Sequence, residues 1–284
     1  MRAPRPLLTR SLAEARAAIA KVDPALVIVM PLRNGAATLG PALTSIFVQE
    51  GLLGRPLVLL VDDASEDDWR SRLAALRPAL PVVGVTRRCG RAATARNLGL
   101  HLVRASAPNL RLIVRLDADD ELYDHTTLRR IERLFTSTTS TRRHWRRDPE
   151  VLIGGNLQRR AGVILPRPNL ADGSLLTSAG LLARLEGMAA GQPAAELPSC
   201  NVVLGSGCRL LYPDVASGED HWLTVSLLTR TPGTVRVVGD LVHSIYSLTG
   251  VLTAENQRCE SFVASRRKLL AWACRRLAAR RYWT

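Results

Sequence analysis

The chain has 284 residues, 46% apolar and only 4% aromatic, with a formal net charge of +14. That length allows one large α/β domain, or one domain with a small appendage, around a core that aliphatic side chains must fill. Its five cysteines, Cys89, Cys200, Cys208, Cys259 and Cys274, lie dispersed without paired spacing, which excludes a disulfide framework and a cysteine zinc site and fits a reducing cytoplasm.

Ser11 to Lys21 reads as a short amphipathic helix, with Ser11 as N-cap and Glu14 three residues on, as in a capping box. Arginines and Glu14 interrupt this stretch, so it lacks the apolar core of a signal peptide. Ala25 to Met30 is a continuous run of branched apolar residues, the pattern of a strand buried on both faces. A helix follows over Thr38–Gln49, with Leu39, Leu43, Ile46 and Phe47 on one side. The unit then repeats: strand Pro56–Val61, helix Glu66–Leu76, strand Val82–Thr86, helix Ala92–Ala105, strand Leu110–Leu116 and a helix from Thr126 to Phe135. Such alternation predicts an α/β fold with a mostly parallel, doubly wound sheet flanked by helices.

Thr136 to Arg147 is polar and reads as a loop. Beyond it the pattern predicts strands at Val151–Leu157, Val202–Leu204, Val235–Val238 and Leu241–Ile245, and helices at Ser178–Met188 and Glu219–Thr229. Ala254 to Arg281 reads as a long basic helix or helix pair. No apolar run approaches the ~18 residues of a membrane-spanning helix. Three segments result: a helical lead-in at 1–24, a main domain at 25–250 that divides into halves 25–135 and 136–250, and a basic tail at 251–284.

In an open parallel sheet, ligands bind beyond the carboxyl ends of the strands. Three predicted strands end there in polar or acidic sequence: Pro31 to Asn34, Asp62-Asp63-Ala64-Ser65, and Asp117 to Asp120. Acids crowded on one rim repel unless a cation neutralises them, and oxygen ligands suit Mg2+ or Mn2+. Asp117 and Asp119 flank a single residue just after a strand, so both can reach the same side of the turn. The competing reading is that Asp62, Asp63 and Asp117 cap turns or helices, a role that Ser65 or Asp67 also fits.

Four segments occur in order: Ile28-Val-Met-Pro-Leu-Arg-Asn34, Val61-Asp-Asp-Ala-Ser-Glu-Asp67, Ala95-Arg-Asn-Leu-Gly-Leu100 and Leu116-Asp-Ala-Asp-Asp120. Together they resemble the family 2 inverting glycosyltransferases with the GT-A fold, closely over about 25–135 and more loosely over about 198–249. The resemblance implies a nucleotide-sugar donor, most commonly UDP-linked, and Mn2+ or Mg2+ as cofactor. It implies that Asp62, with Asp63 beside it, contacts the donor base, and that Pro31 and Arg33 line the base and ribose. Arg96 and Asn97 resemble an A-R-N element that braces the donor site; Arg96 either touches the diphosphate or pairs with a rim acid. Asp117 would approach the ribose or the metal, and Asp119 would ligate the metal, which neutralises charge on the leaving diphosphate.

An attacking acceptor hydroxyl needs a base. Gly218-Glu-Asp-His-Trp-Leu223 resembles the family's E-D motif at the start of a helix, making Asp220 the base and Glu219 its neighbour. A helix N-terminus keeps an acid ionised, although two acids there also complement the helix dipole without catalysing anything. His243 falls where some GT-A enzymes add a metal ligand, and Trp222 either lines the acceptor site or packs in the core. The reaction implied is one in-line displacement with inversion, through an oxocarbenium-like transition state.

Departures from the pattern are local. Arg33 stands where many relatives place an aromatic, and 201–217 is short and Gly-rich, so the acceptor stays unidentified: a saccharide, a lipid-linked group or a small molecule. The basic tail reads either as a packed terminal helix or as a peripheral contact with the inner membrane face of the cytoplasm. Two other functions compete. A nucleotidyltransferase would want a Gly-rich, Lys-containing N-terminal loop, which is absent. A nucleic-acid-binding protein rests on charge alone; Lys21 and Lys268 are the only lysines, so arginine-rich composition explains that charge equally well, and no basic strip interleaves with aromatics. No nucleic-acid partner is therefore expected.

Overall fold

Strand β2 (Leu26–Leu32) is buried along almost its whole length, because Leu-Val-Ile-Val-Met presents branched or bulky apolar groups to both faces of a sheet. Strands β3 (Pro56–Asp62), β4 (Val82–Thr86) and β5 (Leu112–Arg115) have the same character. The computed structural model describes residues 5–136, 150–165, 171–192, 195–197, 201–215, 217–229, 235–248 and 260–280. It divides into two units, the first Met1–Arg143 with Val203–Leu211 and the second His144–Val202 with Tyr212–Thr284.

In the first unit the strand order is β1-β4-β3-β2-β5-β9, with β1 at Leu7–Thr9 and β9 at Val202–Gly205. β1 to β5 run parallel, and β9 runs antiparallel to β5. Helices α1 (Leu12–Val22), α2 (Leu39–Phe47), α3 (Trp69–Ala75), α4 (Ala92–Ser106) and α5 (Thr127–Thr136) follow in turn, with the short strand β6 (Glu121–Leu122) before α5. This is the mostly parallel, helix-flanked arrangement that the strand–helix alternation predicts. Parallel pairing places the ends of β2, β3, β4 and β5 on a single edge, which is what brings distant motifs together.

Local chemistry sets the element ends. Ser11 caps α1 by accepting from the Glu14 N–H at 3.3 Å. The Glu14 carboxylate does not close a capping box; it accepts from Thr9 Oγ1 at 2.6 Å instead. Gly99 lets α4 lie against the sheet, since a Cβ there would come within 2.6 Å of Val29 Cγ1 and 3.2 Å of Val61 Cγ2. Strand β1 has no counterpart among the predicted elements: three residues carry no readable periodicity, and only pairing with Val83–Val85 makes them a strand.

The second unit contains β7 (Val151–Arg160), paired in parallel with β10 (Val235–Ser247) and antiparallel with the short β8 (Val163–Ile164). Helix α6 (Ser178–Ala189) packs on α8 (Glu260–Arg280), and α7 (Glu219–Leu228) precedes β10. The two strands predicted at Val235–Val238 and Leu241–Ile245 are one. Gly239 and Asp240, which separate the two predicted strands, sit in a register shift between Val237 and Val242, the mark of a bulge. A buried chain of hydrogen bonds ties this unit: Ser244 Oγ donates to Asn201 Oδ1 at 2.8 Å, and Asn201 Nδ2 donates to Asn156 Oδ1 at 3.0 Å. The polar loop predicted over Thr136–Arg147 lies, from residue 137 on, outside the described residues, as do 254–259 of the predicted terminal helix.

Candidate active site

Within the first unit, the end of β3 organises the rim. Asp62 is fully buried. Its Oδ1 accepts from the Ser65 N–H at 2.9 Å, while Oδ2 accepts from Thr86 Oγ1 at 2.9 Å and from Arg70 Nη2 at 3.3 Å. Asp63 reaches two other loops. Its Oδ1 accepts from the backbone N–H groups of Cys89 and Gly90, and its Oδ2 lies 3.3 Å from Arg33 Nη1. The turn-capping reading of these acids therefore holds for local structure, and it leaves the Arg33 guanidinium poised at the rim, 60% exposed.

The β2 and β3 loops are stitched further. The Asn34 N–H donates to Ser65 Oγ, the Glu66 N–H to Asn34 Oδ1, each at 2.9 Å, and the Ala36 N–H to Asp67 Oδ2 at 2.6 Å. Asn34 and Ala64 adopt left-handed backbone, with φ of 50° and 52°, to allow this. Ser65 and Asp67 consequently do not cap α3. Asp68 does, accepting from the Ser71 N–H at 3.3 Å.

The DxD turn separates its two carboxylates electrostatically. Asp117 receives Arg96 Nη2 at 3.1 Å on both oxygens and Arg115 Nε at 3.2 Å, and Arg115 Nη2 also pairs with it. Burial would push the Asp117 carboxyl up, but Arg115 and Arg96 outweigh it and hold it at about 2. Asp119 makes no ion pair among the described residues. Burial first, and the Asp117 charge second, push its carboxyl up to about 6. Arg115 escaped the motif reading, although its signal was present: an arginine in an otherwise apolar buried strand needs an acid, and Asp117, two residues on, shares its face of the strand.

Among the described residues no group of three His, Cys, Asp or Glu converges to hold a metal. A Mg2+ or Mn2+ ion that keeps waters and binds substrate phosphates needs only one or two protein carboxylates. The Asp119 carboxylate, crowded by Asp117 and offset by no guanidinium of its own, fits that demand; Asp117 is already committed to two arginines. Pro31 is the penultimate residue of β2, paired with Val61, and Asn97 is half-buried on α4 one residue after Arg96.

In the second unit, Gly218, with φ of 73°, turns the chain into α7, whose first two residues are Glu219 and Asp220. Asp220 Oδ1 accepts from the His221 N–H at 2.8 Å. The buried His221 ring lies with Nε2 3.3 Å from Glu196 Oε1 and Nδ1 3.9 Å from Asp220 Oδ1. Burial pulls its basicity down, but Asp220 and Glu196 together raise it above the ordinary histidine value. Trp222 is half-buried; its Nε1 donates to Ser265 Oγ at 3.2 Å and its ring meets Trp272 at 5.7 Å, so it packs against α8. His243 is wholly buried inside β10, within the strand predicted at Leu241–Ile245.

Residues 27–151 match the family described as glycosyl transferase family 2, a span that contains all four motifs and every donor-side residue named above. The matched span covers less than half of the chain. No curated protein matches the chain. Among solved structures, the chain resembles TarS residues 1–349 from S. aureus in complex with UDP-GlcNAc, at 15% identity and a TM-score of 0.58, covering 88% of this chain and 72% of that one. The chain spans 43% of the full TarS chain. Glucosyl-3-phosphoglycerate synthase from Mycobacterium tuberculosis, in complex with Mn2+, UDP-Glc and phosphoglyceric acid, is similar at 16% identity and a TM-score of 0.51, covering 95% of this chain and 86% of that one. These likenesses establish the fold. Within the family 2 segment the structure gathers Arg33, Asp62 and Asp63 at one cluster and Arg96, Asp117 and Asp119 at another, both on the edge where β2, β3 and β5 end.

Proposed function

We propose that the chain is an inverting, divalent-metal-assisted glycosyltransferase that uses a UDP-linked sugar. The observation that carries this reading is the charge pattern of the DxD turn. Two arginines consume Asp117, and its neighbour Asp119 is left as an unneutralised carboxylate on a rim already marked by three other family 2 motifs. The donor base is assigned to Asp62, Asp63, Pro31 and Arg33, and the diphosphate to the region of Arg96 and Asn97. The choice of UDP is supported by the UDP-sugar complexes of TarS and of glucosyl-3-phosphoglycerate synthase.

Asp119 would hold Mn2+ or Mg2+; the sequence-based expectation that His243 is a further ligand is tested by its own substitution. When bound, the ion offsets negative charge on the diphosphate. The remaining steps belong to the chain's own groups. Arg33, oriented by Asp63, presents its guanidinium to the base and ribose. Asp220 takes the proton of the acceptor hydroxyl as its oxygen bonds the anomeric carbon; the bond to the diphosphate oxygen breaks with its electron pair, and the centre inverts. The acceptor is a hydroxyl compound that the residues do not specify.

Thermal unfolding with UDP and Mn2+ tests the reading. A hundredfold excess over Kd should raise Tm on the order of 5 °C. Asp119→Asn should abolish that rise and His243→Gln should reduce it. A full Mn2+-dependent rise in Asp119→Asn overturns the metal assignment.

A further inference from the structure

We infer that α8 is a brace for the Asp220 carboxylate, acting through a partly buried chain of Arg266, Glu196 and His221 and through Ser265. The inference rests on Asp220 being the base. It starts from a deficiency: α7 opens on Gly218, which has no side chain to cap it, so nothing in the preceding residue fixes the first turn where Glu219 and Asp220 sit.

Two successive residues of α8 make up for this on both sides of Asp220. Before it, Ser265 Oγ donates to the Ser217 carbonyl at 2.6 Å while accepting from Trp222 Nε1 at 3.2 Å, tying the entry to α7 and its first turn to one hydroxyl. After it, Arg266 Nη2 donates to Glu196 Oε1 at 2.5 Å, and that same oxygen faces His221 Nε2 at 3.3 Å. His221 turns its other nitrogen toward Asp220 Oδ1, at 3.9 Å. Arg266 is itself held by the Met188 carbonyl at 3.3 Å and by the Phe262 ring, 4.2 Å from its Cζ; the same ring lies 6.2 Å from that of His221.

The charged groups facing His221 are Asp220 on its own helix, Glu196 from the segment before β9 and Arg266 from α8. Two carboxylates against one guanidinium favour the imidazolium. A cation held beside Asp220 keeps that carboxylate ionised, the state a base must be in before it can accept a proton. An ordinary structural cross-link would need one of these contacts; here four converge on residues 217 to 222. Glu196, His221, Ser265 and Arg266 are therefore positioning residues, acting through Asp220 and not on substrate.

The test uses the full chain with two readouts. The first is backbone hydrogen exchange at 219–222 in Ser265→Ala, Arg266→Met and Arg266→Lys. Exchange should quicken at least tenfold in the first two and less in the third; unchanged exchange in Ser265→Ala and Arg266→Met overturns the brace. The second is UDP release from UDP-glucose with Mn2+ across pH. Glu196→Gln should lower kcat about tenfold at constant donor KM and move the acidic limb of the profile upward. If Asp220→Asn is inactive while Glu196→Gln keeps the wild-type kcat and profile, the brace is wrong and the base assignment stands. If Asp220→Asn turns over normally, the base assignment falls, and the exchange data alone decide whether α8 orders the turn.

Discussion

Arg96 Nη2 sits 3.1 Å from each oxygen of Asp117, with the Arg115 guanidinium closing the other side of the same carboxylate. All three side chains are largely enclosed, so removing the acid takes away a carboxylate that two buried cations share. Asp117→Asn should cost about 3–5 kcal/mol, read as a lowered urea midpoint. Because the folded carboxyl is depressed to about 2 from 3.8, its contribution is present above pH 3.8 and lost as pH falls through 2. Wild type and variant should therefore converge in stability in strong acid; a constant difference would contradict the pairing.

Asp119 obeys the opposite sign. Its folded carboxyl is raised to about 6, so its ionised form weakens the metal-free protein at neutral pH. Asp119→Asn should raise the metal-free stability at pH 7.5 by about 2 kcal/mol, and the gain should shrink as pH drops from 6 toward 3.8, where the native carboxyl takes up its proton before the unfolded one does. A variant less stable than wild type at pH 7.5 would rule this out.

His221 titrates above its ordinary value of 6.5, since Asp220 and Glu196 outweigh the effect of burial. A base with a raised folded value stabilises fully below pH 6.5 and progressively less as pH rises through that folded value. The Tm difference between wild type and His221→Gln should accordingly be larger at pH 6 than at pH 9. Equal differences at both would show that the imidazole carries no charge in the fold.

The exposed bases of α8 are Arg267, Lys268, Arg275 and Arg276, while Leu269, Ala273 and Leu277 are buried by packing. Among the described residues no helix is long and apolar enough to cross a membrane. If the helix meets an anionic lipid surface, these bases would contribute about 1 kcal/mol each. The chain should sediment with vesicles rich in phosphatidylglycerol at 50 mM NaCl and be released by 300 mM. Equal binding to neutral vesicles would refute that account.

Much of the first unit was legible because burial on both faces writes long branched runs into β2, β3 and β4, and because parallel strands deliver their ends to one edge. The motifs at those ends could be found without knowing how their side chains are spent. What stayed hidden was pairing at a distance. Nothing in the residue order tells that Asp63 reaches Arg33 and the amides of Cys89 and Gly90, or that Ser65 and Asp67 serve the β2 loop instead of α3. In the second half the links binding Asp220 to Arg266 span 46 positions and run through side chains alone, with no periodicity to betray them. The break between the strands predicted at Val235–Val238 and Leu241–Ile245 is a bulge within one strand, which only the pairing with β7 reveals.

Strand β1 lies along β4, and Arg87 and its neighbours follow β4 directly into the Cys89–Gly90 loop held by Asp63. A three-residue strand is a small shield, yet it occupies the outermost hydrogen-bonding groups of the parallel array. Trimming the protein to begin at Ala25 would uncover the Val83–Val85 border of β4, able to recruit the same border of a second molecule. Shortened versions should therefore accumulate as soluble oligomers or precipitate before they lose their helices, and an attempt to isolate a minimal catalytic core would do better to retain everything from Leu7 onward.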